Sequence, residues 1–286
     1  MRRIIGVCLL ALVTLLGACS AVKLGYNQLP DVTLWWLDGY IDTTSAQSPR
    51  VRRDLDDLLL WHRSAELPRY ADLLQKLQRL TAGPVTPTQV CGLVDDVRLR
   101  LDVLRQRSEP QLLAFAQTLS PAQLDHLTAK FAKSNTEWRA EWLDASDADI
   151  LARRLKQAVQ RGERLYDRLD EPQVQLLRAG LQALPLNSAL MWAERQRRQQ
   201  DVLTTLQQLG SGKLSGEPAK AALAGVFARL VTSPDPAYRA WSEAMLQGNC
   251  ALAARLQNQT STAQRERAAG NLRGYEDDLR SLSAAR

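Results

Sequence analysis

Apolar residues recur at helical spacing along most of the chain, and no alternating strand pattern of useful length interrupts them. Val51, Leu55, Leu58, Leu59 and His62 share one face of a helix that Pro49 opens with Ser48 as cap, while Arg52, Asp56 and Arg63 fall elsewhere. Pro68 kinks or restarts that helix, which runs on to Leu80 before Thr81-Ala82-Gly83-Pro84 ends it. Val90, Val94, Val97, Leu101 and Leu104 alternate spacings of four and three, a heptad seam. Leu124, Leu127, Phe131, Trp138 and Trp142 make a second stripe, with the tryptophans expected in a core or a groove. Leu151, Leu155, Val159, Leu165 and Leu169 make a third. The segment from Pro172 to Leu209 breaks near Leu184-Pro185. Its middle, Glu194 to Asp201, is polar on all sides, so part of this helix is predicted to stand in water. Three more helical pieces follow, over 218–231, 235–246 and 250–282.

Helix starts are marked by capping boxes. Thr86-Pro87-Thr88-Gln89, Ser120-Pro121-Ala122-Gln123 and Ser261-Thr262-Ala263-Gln264 fit S/T-x-x-Q, and Asp170-Glu171-Pro172-Gln173 is a close variant. In each, the first side chain can accept from the N3 amide while Gln reaches back to the cap. The expectation is an all-α fold, a multi-helix bundle of amphipathic helices and helical hairpins without a sheet. The glycine-rich stretch 209–218 is a turn and a possible sub-boundary. It is not a phosphate loop, because Leu214 follows Lys213 and the glycine spacing fails.

Ahead of these helices, Arg2 and Arg3 precede an uncharged apolar run, Ile4 to Leu16, which reads as a secretory signal. Its ending, Leu16-Gly17-Ala18-Cys19, resembles the lipobox of bacterial lipoproteins. That resemblance implies cleavage between Ala18 and Cys19, an S-diacylglycerol group on Cys19 and acylation of the new amino terminus. Residues 1–18 are then a cleaved signal, 19–30 a lipidated tether, and 31–286 a single helical periplasmic domain. Ser20 is not an inner-membrane retention signal, so the expected location is the periplasmic face of the outer membrane.

Removing the signal, which carries only Arg2 and Arg3, leaves 35 basic and 31 acidic residues, a net charge of +4. The charges are interspersed, and nucleic-acid binding would require a concentrated basic stripe. The membrane, reached through the anchor, and a protein or envelope polymer are the expected partners. Oligomeric state is not legible. Cys91 and Cys250 remain as an even pair in an oxidising compartment and are expected to form a disulfide, with two separately buried thiols as the alternative. A bridge would close a loop of about 160 residues and contribute roughly 5 kcal/mol at most.

The densest aromatic cluster, Trp35, Trp36 and Tyr40, lies close to Cys19. It is a candidate clamp for the N-terminal helix, or a set of rings at the lipid headgroups. His62 with Glu66 could share a metal on one helix face, but no further ligands are spelled out, and His126 has no ligand partner at helical spacing. Carboxylates cluster at Asp54, Asp56 and Asp57, at Asp95 and Asp96, and at Glu276, Asp277 and Asp278, interleaved with arginines. No catalytic motif appears, and no catalytic residue, metal site or cofactor is expected.

The lipobox taken together with Leu24-Gly25-Tyr26-Asn27, Trp35-Trp36-Leu37-Asp38-Gly39-Tyr40, Trp61-His62-Arg63, Glu66-Leu67-Pro68-Arg69-Tyr70, Gln264-Arg265 and Tyr275-Glu276-Asp277-Asp278-Leu279 resembles a family of Gram-negative lipoproteins of unknown function. The resemblance implies a lipid-anchored helical periplasmic protein and supplies no activity. Leu119-Ser120-Pro121-Ala122-Gln123 is similar to the L-T-x-x-Q motif of small periplasmic helical chaperones, although a capping box explains the same letters. The expected function is non-enzymatic binding or envelope maintenance. The alternatives are a chaperone with an apolar helical groove and an envelope hydrolase using clustered carboxylates.

Overall fold

The computed structural model describes residues 21–285. The expected signal, the Ala18–Cys19 cleavage site and the acylated Cys19 lie outside them. Twelve helices follow one another: α1 (Ala21–Asn27), α2 (Leu29–Ile41), α3 (Ser48–Ala65), α4 (Leu67–Thr81), α5 (Pro87–Ala116), α6 (Pro121–Trp142), α7 (Asp147–Tyr166), α8 (Glu171–Ala183), α9 (Ser188–Gly210), α10 (Gly216–Val231), α11 (Pro236–Asn258) and α12 (Thr262–Ala284). No strand occurs among the described residues, and the fold is all-α.

All four sequence-marked capping boxes form, at Thr86, Ser120, Asp170 and Ser261. A fifth reciprocal exchange was missed. Thr44 N donates to Gln47 Oε1 at 3.0 Å and Gln47 N to Thr44 Oγ1 at 3.2 Å, so these residues, not Ser48, set the entry to α3. The boxes also face one another in pairs. Gln47 and Gln123 exchange side-chain hydrogen bonds, and each reaches a carbonyl before the other's box, Thr118 O and Asp42 O respectively. Gln173 and Gln264 repeat this arrangement with Gln259 O and Arg168 O. Helix starts distant in sequence are thus sewn together by the same amide chemistry at two corners of the molecule.

Helix α12 packs along α4, with Gln75 and Gln78 donating to Glu276 and Arg280 pairing with Asp72, an antiparallel register. The core is distributed. One cluster joins α7, α8 and α11 through Leu155, Leu177, Leu181, Leu252 and Leu256. Others form around Tyr26, Leu67 and Leu282, around Ile41, Leu119 and Leu127, and around Ala116, Leu209 and Ala219. Gly210 allows one close approach, since a Cβ there would lie 2.5 Å from Leu119 O. Cys91 on α5 and Cys250 on α11 form a disulfide, with Cα atoms 5.5 Å apart. Nearby, the Asn258 carboxamide pairs with both backbone groups of Val85 at 2.7 and 3.0 Å.

Three expectations need adjustment. The described part of the predicted tether is helical, and Tyr26 within it is buried. The heptad seam of α5 is covered only in part: Val90, Val94 and Leu104 are half-buried, but Val97 and Leu101 are exposed. The same helix brings Asp96 to Lys76 and Arg100 to the buried Glu66 carboxylate, which satisfies a charge that would otherwise be costly to bury. The polar stretch 194–201 stands in water only in part, with Gln196 and Gln200 exposed. Glu194 is only 4% exposed and is held by Arg197, Arg198 and Ser233, while Asp201 pairs with Arg229.

Candidate functional site

Several of the motifs that carry the family resemblance come together where α1 docks on α3, α4 and α12. Tyr26 sits among Leu67, Leu282, Leu59 and Leu279. Its hydroxyl lies 3.0 Å from His62 Nδ1. The His62 ring lies between Tyr26 and Tyr70, with centroids 5.9 and 5.6 Å away. Arg63 donates to Asn27 Oδ1 at 2.8 Å and places its guanidinium over the Tyr26 ring at 5.7 Å. Lys23 pairs with Asp278 on α12 at 3.4 Å. Glu66 is buried, with Arg100 at 3.5 Å.

Burial dominates the electrostatics of this cluster. It pushes the Tyr26 phenol up to about 12, against the lowering effect of Arg63. It lowers the His62 imidazole, with the Glu66 charge opposing, and raises the Tyr70 phenol. His62 is therefore a neutral partner for Tyr26, and Glu66 belongs to Arg100. Among the described residues no group of three or more His, Cys, Asp or Glu is placed to hold a metal. His126 reaches only the Gly39 carbonyl, at 3.3 Å.

Five of the eight clustered carboxylates pair with cations. Asp56 pairs with Arg52, Asp95 with Arg98, Asp96 with Lys76, Glu276 with Arg280 and Asp278 with Lys23. Adjacent carboxylates on a helix diverge by about 100°, so proximity in sequence does not bring them to one site.

Beside the docking cluster, α2 bridges an apolar groove. One part, about 230 Å³, is lined by Leu29, Pro30, Leu55, Leu59, Leu104 and His62. It adjoins a second of about 210 Å³ beneath Trp36, Leu37, Val51 and Phe115, the two sharing Thr33, Leu55 and Leu58. The aromatic candidates divide here. Trp35 is 76% exposed and Trp36 54%, so Trp35 clamps nothing. Leu37, Tyr40 and Ile41 hold α2 to α6 instead, and Trp36 leans on Tyr40 with centroids 4.7 Å apart. Leu24, Leu29 and Val32 are exposed on the same two helices. Trp138 and Trp142 are only half-buried. Trp138 stacks on Trp192 at 5.5 Å beside Arg195, and Trp142 carries Arg153 at 5.7 Å.

These features define an all-helical, disulfide-linked protein with a docked N-terminal helix pair and apolar grooves. Residues 39–216, more than half of the chain, match a family of unknown function, DUF6279, and the chain belongs to that family. The matched span includes His62, Glu66 and Tyr70 but not Tyr26 or α12. No curated protein and no solved structure matches the chain.

Proposed function

We propose that this chain is a lipid-anchored, non-enzymatic binding protein of the bacterial envelope. It is held at the periplasmic face of the outer membrane through Cys19, with the outer face of α1 and α2 turned to the bilayer. The observation that carries this reading is the outward row Leu24, Leu29, Val32, Trp35 and Trp36 on the helices that directly follow the lipobox. An amphipathic segment of this kind buries its apolar side at the headgroup boundary, where tryptophan rings concentrate. The docking of Tyr26 on His62 then fixes the body relative to the membrane and presents it to a protein or envelope polymer.

The test is fractionation of native envelopes with palmitate labelling. Mature, labelled protein should co-fractionate with outer-membrane markers, and Cys19→Ala should leave an unlabelled precursor. Processing and membrane retention of Cys19→Ala would reject the anchor. Quenching of Trp35 and Trp36 by brominated lipids tests the orientation, and unquenched rings in the anchored protein would reject it.

The outward face of α5 favours a second reading, a chaperone. Val97 and Leu101, one turn apart, form an exposed apolar patch that could hold unfolded clients. Suppression of aggregation of an unrelated unfolded protein at near-stoichiometric amounts tests it, and no suppression removes it.

A further inference from the structure

A groove of about 560 Å³ runs between α7, α8 and α11, on elements separate from the N-terminal site. Its volume falls in the range of small-molecule sites, roughly 300–1,000 Å³. Leu165, Leu177 and Leu252 form part of its floor and belong to, or pack on, the cluster that joins these helices. Met191 and Met245 add flexible apolar wall. Trp241 also lines it, with its indole N–H already donated to Pro185 O, so the ring offers the groove an apolar surface.

Two arginines of α7, Arg154 and Arg161, lie along this apolar surface, and no carboxylate lines the groove among the described residues. Several arginines elsewhere pair with acids: Arg100 with Glu66, Arg197 and Arg198 with Glu194, Arg229 with Asp201, and Arg280 with Glu276. Neither Arg154 nor Arg161 has such a partner among the described residues. Arg154 donates to Leu181 O at 3.2 Å, and Arg161 to Gln157 Oε1 at 3.3 Å. Burial lowers the Arg154 guanidinium pKa with no anion to offset it. A part-buried cation on an apolar wall is solvated poorly, and a bound anion with several acceptor oxygens would restore what burial removes.

We propose that this groove binds an anionic single-chain amphiphile, a lysophospholipid whose acyl chain lies on the leucine floor and whose phosphate meets Arg154 and Arg161. An acyl chain needs no hydrogen bonds from the floor. A peptide would bring a donor and an acceptor at nearly every residue, more than Gln157, Asn249 and the two arginines can satisfy on an otherwise apolar lining. The two arginines are seven residues apart on one helix, a rise of roughly 10 Å. Their long side chains can converge on a phosphate between them more readily than on a single carboxylate. The site stands whether or not Cys19 is acylated.

The test uses membranes carrying the full chain and lysophosphatidylglycerol with a diazirine in its palmitoyl chain. After irradiation, adducts should map to peptides from 151–166 and 236–258. Arg161→Gln, an exposed substitution, should cut labelling tenfold or more without changing the helical circular dichroism, and Ala158→Trp should abolish it by filling the groove. A monoacylglycerol carrying the same diazirine should label at a tenth of the level or less. Adducts confined to α2, undiminished labelling in Arg161→Gln, or equal labelling by the monoacylglycerol would each overturn the proposal. So would an acidic apolar peptide that displaces the probe at lower concentration than unlabelled lysophosphatidylglycerol.

Discussion

Gln173 and Gln264 close on each other as a reciprocal amide pair, each carboxamide nitrogen donating to the other's oxygen, at 2.8 and 2.9 Å. Each side chain also completes its own capping box. One residue therefore serves three tasks: it caps a helix, satisfies a distant carbonyl and fixes the angle between two helix starts. Removing one partner leaves buried donors and acceptors unpaired, which costs about 1–3 kcal/mol. Gln173→Ala and Gln264→Ala should each lower stability by that amount in urea unfolding. The double variant should cost clearly less than the two together, because the second substitution removes an already orphaned group. Additive losses would mean the amides do not couple.

The helix starts were legible because a capping box is local: four residues contain both its donors and its acceptors. That Gln173 meets Gln264, or Gln47 meets Gln123, was not legible, since those pairings depend on tertiary approach. The α5 seam held only in part for a related reason. Periodicity assigned Val97 and Leu101 to a buried face, but α5 meets Glu66 through Arg100, an ion pair 34 positions apart that no stripe records. Glu194 to Asp201 misled in the opposite direction. A stretch polar on all sides can be buried if it carries both charge signs and meets Ser233 and Arg229 from outside the helix. Of the N-terminal site, Tyr26, His62 and Glu66 were singled out as letters, and only the fold brings Tyr26 to His62.

The Cys91–Cys250 bridge spans 159 positions and ties α5 to α11. In the chain-entropy account a loop of this size contributes about 5 kcal/mol at most. Reduction, or the paired substitution Cys91→Ala with Cys250→Ala, should lower the urea midpoint without altering helical content. Reducing and non-reducing gels should differ in mobility. Titration of two free thiols in the unreduced, unfolded protein would contradict the bridge.

Glu194 is buried, and burial alone would push its carboxyl up, but hydrogen bonds from Arg197, Arg198 and Ser233 outweigh this and hold it at about 2. Its folded pKa lies below the unfolded value of about 4.3. The stabilisation is thus fully present above the unfolded pKa and is lost as pH falls toward 2. Glu194→Ala takes the acid from Arg198 and an acceptor from the buried Ser233, while Arg197 keeps Asp201 and the Arg229 carbonyl, and the expected loss is about 1–3 kcal/mol. Denaturant curves at pH 7 measure it. At pH 2 the gap between the variant and the parent should shrink, and an unchanged gap would show that the carboxylate charge is not what stabilises the site.

His62 makes the N-terminal dock sensitive to acid in a stated direction. The groups facing it are Tyr26 from α1, Arg63 and Trp61 on its own helix, Tyr70 on α4 and the Glu66 carboxylate, itself paired with Arg100 from α5. Burial lowers the His62 pKa below its ordinary value of about 6.5, and the Glu66 charge offsets only part of that. The undocked chain therefore binds more protons than the docked one as pH falls below about 6.5, and docking weakens over that range. Amide exchange across α1 should be slow at neutral pH and accelerate between about pH 6 and 5, ahead of exchange in α8. His62→Gln keeps a polar side chain facing Tyr26 but cannot titrate, so its α1 exchange, corrected for intrinsic rates, should lose the pH dependence. Tyr26→Phe leaves Nδ1 without its partner and should loosen α1 at every pH, at a cost of about 1–3 kcal/mol. If α1 in the parent exchanges equally fast at pH 7 and pH 5 while His62→Gln behaves the same way, the imidazole does not control the dock.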